Sequence, residues 1–274
     1  MHVISTRRLE STRRFDWRRV TDVWRYRELL YFLTWRDVKV RYKQAALGAA
    51  WAVIQPVMSM VVFTVFFGRL AHMPSDGLPY PLFTLCALVP WTYLSTAVTG
   101  GSASLVGQQH VLSKVYFPRI LVPLAAIAAP LVDFAIAIAI LVAVMAGYQV
   151  VPGLAVLWLP FFVALMVATA AATAIGLAAL TARYRDVRYV VPYAVQLWLF
   201  ATPVAYPASI VPERWRVLYG LNPMTGVVEG FRWALIGGQP PGAVTLLSAV
   251  TVVLALVGAI VYFRRVEGTV VDVL

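Results

Sequence analysis

Apolar runs of membrane-spanning length recur along the chain, separated by short stretches in which arginine, proline and glycine collect. A membrane helix needs about 20 apolar residues, and five segments meet that length: 45–67, 81–100, 120–146, 155–181 and 243–263. A sixth, 189–206, is shorter and carries Pro192 and Pro203, but it is uncharged and rich in aromatics. Proline inside a span bends it where neighbouring helices satisfy the freed carbonyl, so Pro56 and Pro192 predict kinks. The expectation is an all-α, polytopic membrane protein with six transmembrane helices.

Two further stretches are helical in pattern without being spans. Ahead of the first span, 27–44 places Glu28, Arg36, Lys39 and Lys43 on one arc of a helix. Tyr31, Trp35, Val38 and Tyr42 fall on a second arc and Leu29, Leu33 and Val40 on a third. Asp37 and Arg41 stand at i,i+4 spacing and are expected to pair. This predicts an N-terminal amphipathic helix at the headgroup layer. Ahead of the last span, 211–238 carries five charges and seven glycines and prolines. Pro212 suits a helix start, Gly220 a C-terminal cap, and Asn222 caps a second start at Pro223. Met224, Val227, Val228, Phe231 and Leu235 share one face of that second helix, with Glu229 and Arg232 on another. From 223 to 236 it measures about 21 Å at 1.5 Å per residue, short of the roughly 30 Å hydrocarbon core. A re-entrant helical hairpin dipping in from outside, or a pair of interfacial helices, accounts for it.

Charge turns these elements into a topology. The chain has 274 residues, 61% of them hydrophobic, and a net charge of +11. Nineteen of the 23 lysines and arginines fall before the first span, between spans two and three, between four and five, or after the last. Only Arg69, Arg214, Arg216 and Arg232 fall on the other side. Positive charge collects on cytoplasmic flanks, so both termini are expected inside. A seventh crossing at 211–238 would put the Arg264–Arg265 pair outside, so an even number of spans is favoured. Basicity explained in this way carries no expectation of nucleic acid. The N-terminal 20 residues lack the apolar core of a signal peptide.

Candidate chemistry is sparse. No GxxxxGK[ST], HExxH or GxSxG occurs, so neither nucleotide hydrolysis by a P-loop nor the common hydrolytic chemistries are expected. Cys86 stands alone, which excludes an intramolecular disulfide, and His110 has no second ligand near it, so metal is expected at no site. The inner loop 102–123 alternates small apolar and uncharged polar residues until Pro118, a composition suited to docking in a groove on another protein. In 181–192, Arg183, Arg185 and Arg188 sit beside tyrosines, where they serve positive-inside topology or pair with phosphate. Asp133 is the one acid within a span, either a hydrogen-bonded structural group or a channel-lining one. Counted from residue 120 it lies about 20 Å in, past the midplane.

With these elements placed, the sequence resembles the membrane permease subunit of ABC exporters of polysaccharides, the family that moves O-antigen, teichoic acid and related glycans. The resemblance runs from Arg27 to Phe263 and rests on RDVKVRYKQAALGAAW, PLFTLCALVPW, SLVGQQHVLSKVYFPR, RYRDVRYVVP and LNPMTGVVEGFRWALIG, in that order. It implies a homodimer of permeases with two copies of a separate P-loop ATPase, which holds the ATP and Mg; no cofactor is expected in this chain. It implies a bacterial inner membrane location and a cargo glycan on an undecaprenyl diphosphate type of carrier. It divides the chain into a basic tail (1–26), the interfacial helix (27–44), a permease domain (45–263) and a cytoplasmic tail (264–274). Within the permease domain lie a coupling loop (101–118) and an outer gate hairpin (208–238). Gly107, Gln108, Gln109, His110, Val111, Leu112 and Tyr116 would seat on the ATPase. Arg214, Trp215, Arg216, Asn222, Glu229 and Arg232 would belong to the gate, the arginines at a wet channel exit.

For such a cargo, Arg25, Arg27, Arg183, Arg185 and Arg188 are candidates for admitting the substrate or binding its diphosphate. Trp91, Tyr93, Tyr193, Trp198 and Tyr206, with Asp133, are candidates for lining the channel, since aromatic faces suit sugars; a lipid-facing aromatic belt is the other reading of the five aromatics. Rival functions are a permease for a small drug or lipid, a membrane-embedded glycosyltransferase, and a secondary transporter. The single intramembrane acid counts against the last of these.

Overall fold

The computed structural model describes residues 24–43, 50–112 and 117–273, and every regular element among them is helical. In chain order these are α1 (Arg27–Lys43), α2 (Ala50–Phe63, continued by a wider π-type turn over Thr64–Leu70), α3 (Tyr80–Gly107), α4 (Gln109–Leu112), α5 (Leu121–Ala128) and α6 (Leu131–Gly147). After a 3-10 turn at Leu154–Trp158 come α7 (Leu159–Arg183), α8 (Val187–Phe200), α9 (Glu213–Gly220), α10 (Pro223–Ile236) and α11 (Ala243–Val273).

The centre of the bundle is α3, which is apolar all round and therefore must be covered on every side. The helices α2, α5, α6, α7, α8 and α10 all pack on it. Small residues set how closely they come: a Cβ on Gly101 would lie 2.7 Å from the Ala174 Cβ, so α3 and the alanine-rich α7 are in near backbone contact. On its other side α7 takes α11, with Gly176 against Ala259. By contrast α2 is almost unburied within the chain and stands at the edge of the bundle.

Among the described residues, five helical stretches are long and apolar enough to cross a membrane: Ala50–Leu70, Tyr80–Gly107, Leu121–Gly147, Leu154–Arg183 and Ala243–Glu267. They correspond to the five clear runs in the sequence. The weaker run at 189–206 becomes α8, which has 14 residues and a length of about 21 Å; the chain turns at 201–206 instead of continuing as a helix.

Three boundaries differ from expectation. The second span runs on through SASLVG to Gly107, so the first third of the expected coupling loop is helix. The third span breaks at Ala129–Pro130, because proline brings no N–H to continue the ladder. The last span continues to Val273. The tail 1–23, the opening of the first span at 44–49, and Tyr116 of the expected coupling set lie outside the described residues, as do the side chains of Val111 and Leu112.

Candidate functional site

At the end of the bundle that charge assigns to the cytoplasmic side, called the inner end, α1 packs along α5, burying Leu33 and Val38 and leaving Tyr31, Trp35 and Val40 exposed. Its last turn then meets the third span. Arg41 Nη1 and the Tyr42 hydroxyl both donate to the carboxylate of Asp133, at the start of α6. The expected Arg41–Asp37 pair does not form: Asp37 accepts instead from its neighbour Arg36, at 2.8 and 3.1 Å, which frees Arg41 to reach across 92 residues. Burial and the adjacent Asp133 carboxylate push the Tyr42 phenol up to about 12, so it stays protonated and donating at neutral pH.

This contact borders a cavity. A cavity of about 240 Å³ has Asp133, Arg41 and Tyr42 on one wall, Trp51 and Gln55 from the opening of α2, and Thr92 and Thr96 from α3. The acid therefore stands beside the opening of α2 and the middle of α3. The helix α5 precedes the break at Pro130 and packs on α1.

Of the other inner candidates, Gly107 ends α3, and the Gln108 N–H closes that end on Ser104 and Leu105 oxygens. Gln109 and His110 begin the one-turn α4. Just beyond, Arg119 reaches the Glu267 carbonyl with its side chain and the Glu267 carboxylate with its N–H, tying this loop to the inner extension of α11. Arg25 and Arg27 are exposed at the start of α1, with Arg27 over the Trp24 ring. Arg183, Arg185 and Arg188 are exposed around the α7–α8 turn, Arg183 and Arg188 each lying over the next tyrosine. The two sets of arginines occupy separate elements.

The opposite end of the bundle, called the outer end, is built around α10. The Asn222 side chain caps it through Met224 N at 3.1 Å, accepts from Trp198 Nε1 at 2.9 Å, and donates to Ala201 O and Thr202 Oγ1. Every bonding capacity of this amide is thereby used. Gly226 and Gly230, four apart on one face, let α10 press on its neighbours: a Cβ at Gly230 would fall 2.1 Å from the Phe162 ring, and one at Gly226 2.8 Å from Ser248. Ser248 in turn donates to the Gly220 and Asn222 carbonyls, so α11 holds the α9–α10 corner. Arg232 is 2% exposed, pairs with Glu229 at 2.9 Å, donates to Phe83 O and Val204 O, and lies 3.5 Å over the Phe83 ring. It is thus a buried pin between α10, α3 and the 201–206 turn, and not a group in open water.

Its neighbours Arg214, Trp215 and Arg216 on α9 are exposed, with Arg214 over the Trp215 ring. Trp91 and Tyr93 are buried within the chain's own core: Trp91 meets Trp198 edge to face, and the Tyr93 hydroxyl donates to Ile127 O. Tyr206 is half-buried, bonded to Phe200 O and to the Tyr219 hydroxyl. Of the five aromatic candidates, Tyr193 alone lies on an open face, in a row with Tyr189, Leu197 and Phe200 along α8.

Sequence reasoning missed Arg41 as the partner of Asp133, the Gly226–Gly230 pair and the Arg119–Glu267 tie. The first had a signal, since a carboxylate in a span demands a cation and Arg41 is the last arginine before the first span.

Five helical stretches of membrane-spanning length among the described residues make this a multi-pass membrane protein. The model of the ABC-2 type transporter family matches residues 28–236, and the chain belongs to that family as a permease. It is 29% identical over 254 residues, 91% of this chain and 97% of the relative, to the O-antigen export system permease protein RfbA of Myxococcus xanthus. It is 24% identical over 77% of its length to the protein of the same name from Klebsiella pneumoniae, 81% of which is covered. It is 22% identical to the polysialic acid transport protein KpsM of Escherichia coli, over 85% of this chain and 92% of that one.

Proposed function

We propose that this permease forms the channel of an ATP-driven exporter that carries a lipid-linked polysaccharide of O-antigen type across the inner membrane. It works as two copies with two copies of a P-loop ATPase, which supplies the ATP and Mg chemistry. The observation that carries this reading is the end-to-end match to relatives named for O-antigen export, reinforced by others named for polysialic acid transport. The open aromatic row Tyr189, Tyr193 and Phe200 supports it, because a face turned away from the chain's own bundle is available to a second copy or to sugar. Both termini are inside, α4 and its flanks dock on the ATPase, and α9–α10 form the outer gate, dipping from the outer face.

Deletion of the gene in its host tests the reading. The expected result is lipid-linked glycan accumulating on the cytoplasmic leaflet, with export restored by the chain only when its ATPase is active. Undisturbed surface glycan together with a lost drug or lipid efflux would replace it with the small-cargo reading. Gln109→Asp, which puts a charge into the docking element, is expected to abolish ATPase association; unchanged association and export would remove α4 from the interface.

A further inference from the structure

The cavity at the inner end lies where α1, the opening of α2, the middle of α3 and the start of α6 converge. Its polar floor is Arg41, Tyr42, Asp133, Gln55, Thr92 and Thr96, and its walls include Pro56, Pro130, Phe134 and Ala137. At about 240 Å³ it falls below the roughly 300–1,000 Å³ of drug-sized pockets. That is room for a lipid headgroup and not for a run of sugars.

Among the described residues the charged lining is one guanidinium and one carboxylate, which balance. Their mutual bond does not exhaust them. Arg41 uses a single N–H of its five on Asp133, each Asp133 oxygen accepts one bond and retains capacity for another, and both side chains are about one-third exposed (37% and 31%). A ligand bearing an anion and a hydrogen-bearing cation a few bonds apart satisfies both groups together. A diphosphate would meet Asp133 as a like charge, and a purely anionic headgroup would leave the carboxylate without a new partner. A quaternary ammonium has no N–H to give it. Trp51, half exposed at the rim, stands at the interfacial depth that indoles prefer.

We propose that this cavity binds the headgroup of a phosphoethanolamine lipid of the inner leaflet, its phosphate on Arg41 and its ammonium on Asp133. The lipid locks α1 to the third span, and the site is separate from the path of the diphosphate carrier.

Native mass spectrometry of the full-length permease, with phosphatidylethanolamine, phosphatidylcholine, phosphatidylglycerol or undecaprenyl diphosphate of matched amount added, tests this without requiring export. The result therefore stands or falls separately from the transport reading. The expected result is preferential retention of phosphatidylethanolamine, about tenfold over the choline lipid, as one charge-assisted hydrogen bond would give. Asp133→Asn is expected to erase that preference. Ala52→Trp, which fills the cavity while leaving Arg41 and Asp133 in place, is expected to lose the retained lipid with the thermal unfolding profile kept. Equal retention of the ethanolamine and choline lipids, preference for phosphatidylglycerol or the diphosphate, or an unchanged ethanolamine preference in both variants would overturn the proposal.

Discussion

Arg232 pairs with Glu229 inside one helix at the outer end of the bundle, and Arg41 pairs with Asp133 across 92 residues at the inner end. The outer arginine is 2% exposed and bonds two fixed carbonyls, Phe83 O and Val204 O, besides Glu229. The inner arginine is 37% exposed and keeps donors free toward a cavity. The same two functional groups therefore do different things. Where burial is complete and all three nitrogens of the guanidinium are bonded, the pair is an immovable part of the fold. Where the pair borders open space, its partners can be shared with a ligand. The fully buried pair fixes α10 against α3 and the 201–206 turn, whereas α9 carries no such buried pair among the described residues.

The largest effect is expected from removing the outer pin. Arg232→Ala strands Glu229 and two buried carbonyls, and breaking such a pair costs about 3–5 kcal/mol. Thermal unfolding of the purified permease should show a loss of that order together with failure of export. Arg232→Lys should recover less than half of it, because a point charge cannot reproduce the fork or the stacking on Phe83. Full stability in Arg232→Ala would mean that the two pairs are alike after all.

Next comes the close approach that makes the pin possible. Gly230→Ala drives a methyl into the Phe162 ring, and overpacking of this kind costs about 1–3 kcal/mol. Phe162→Leu in the same chain should return most of that loss, a recovery that unfolding measurements on the double variant would detect. At the inner end Asp133→Asn is expected to cost only about 1 kcal/mol, since both partners are partly solvated. A loss as large as that of Arg232→Ala would erase the distinction between the two ends.

Much of this arrangement was legible beforehand. Spans are read from runs of apolar residues because lipid admits no alternative to a helix, and α10 was measured to its residue bounds since Asn222, Pro223 and Gly237 punctuate it. The pairings were not legible. Periodicity within α1 offers Arg41 a partner four residues away, and nothing local reveals that Arg36 takes Asp37 first. Arg232 was placed in water because charge on the outer side suggests exposure; its burial depends on acceptors from α3 and from the 201–206 turn, which sequence spacing does not bring together. Trp91 and Tyr93 were indistinguishable from surface aromatics because α3 is apolar on all faces and gives no sign of which way it turns. The break at Pro130 and the close approach at Gly226 and Gly230 are absent from the sequence reading, although a proline within a span and glycines four apart are local signals of both.

The smallest expected effect gives the sharpest control. Glu213 and Arg216 on α9 have the same i,i+3 spacing as Glu229 and Arg232 on α10, but with side chains 87% and 50% exposed and a separation of 3.4 Å. In that setting an ion pair contributes at most about 0.5 kcal/mol and is screened by salt. A double-mutant cycle with Glu213→Ala and Arg216→Ala should therefore give a coupling near zero that disappears in high salt, while the cycle on Glu229 and Arg232 gives several-fold more and is insensitive to salt. Spacing is identical in the two cycles, so any difference belongs to burial and to the carbonyls around Arg232. Equal couplings would place α9 in the fixed part of the outer end, and the division between a pinned helix and a free one would fail.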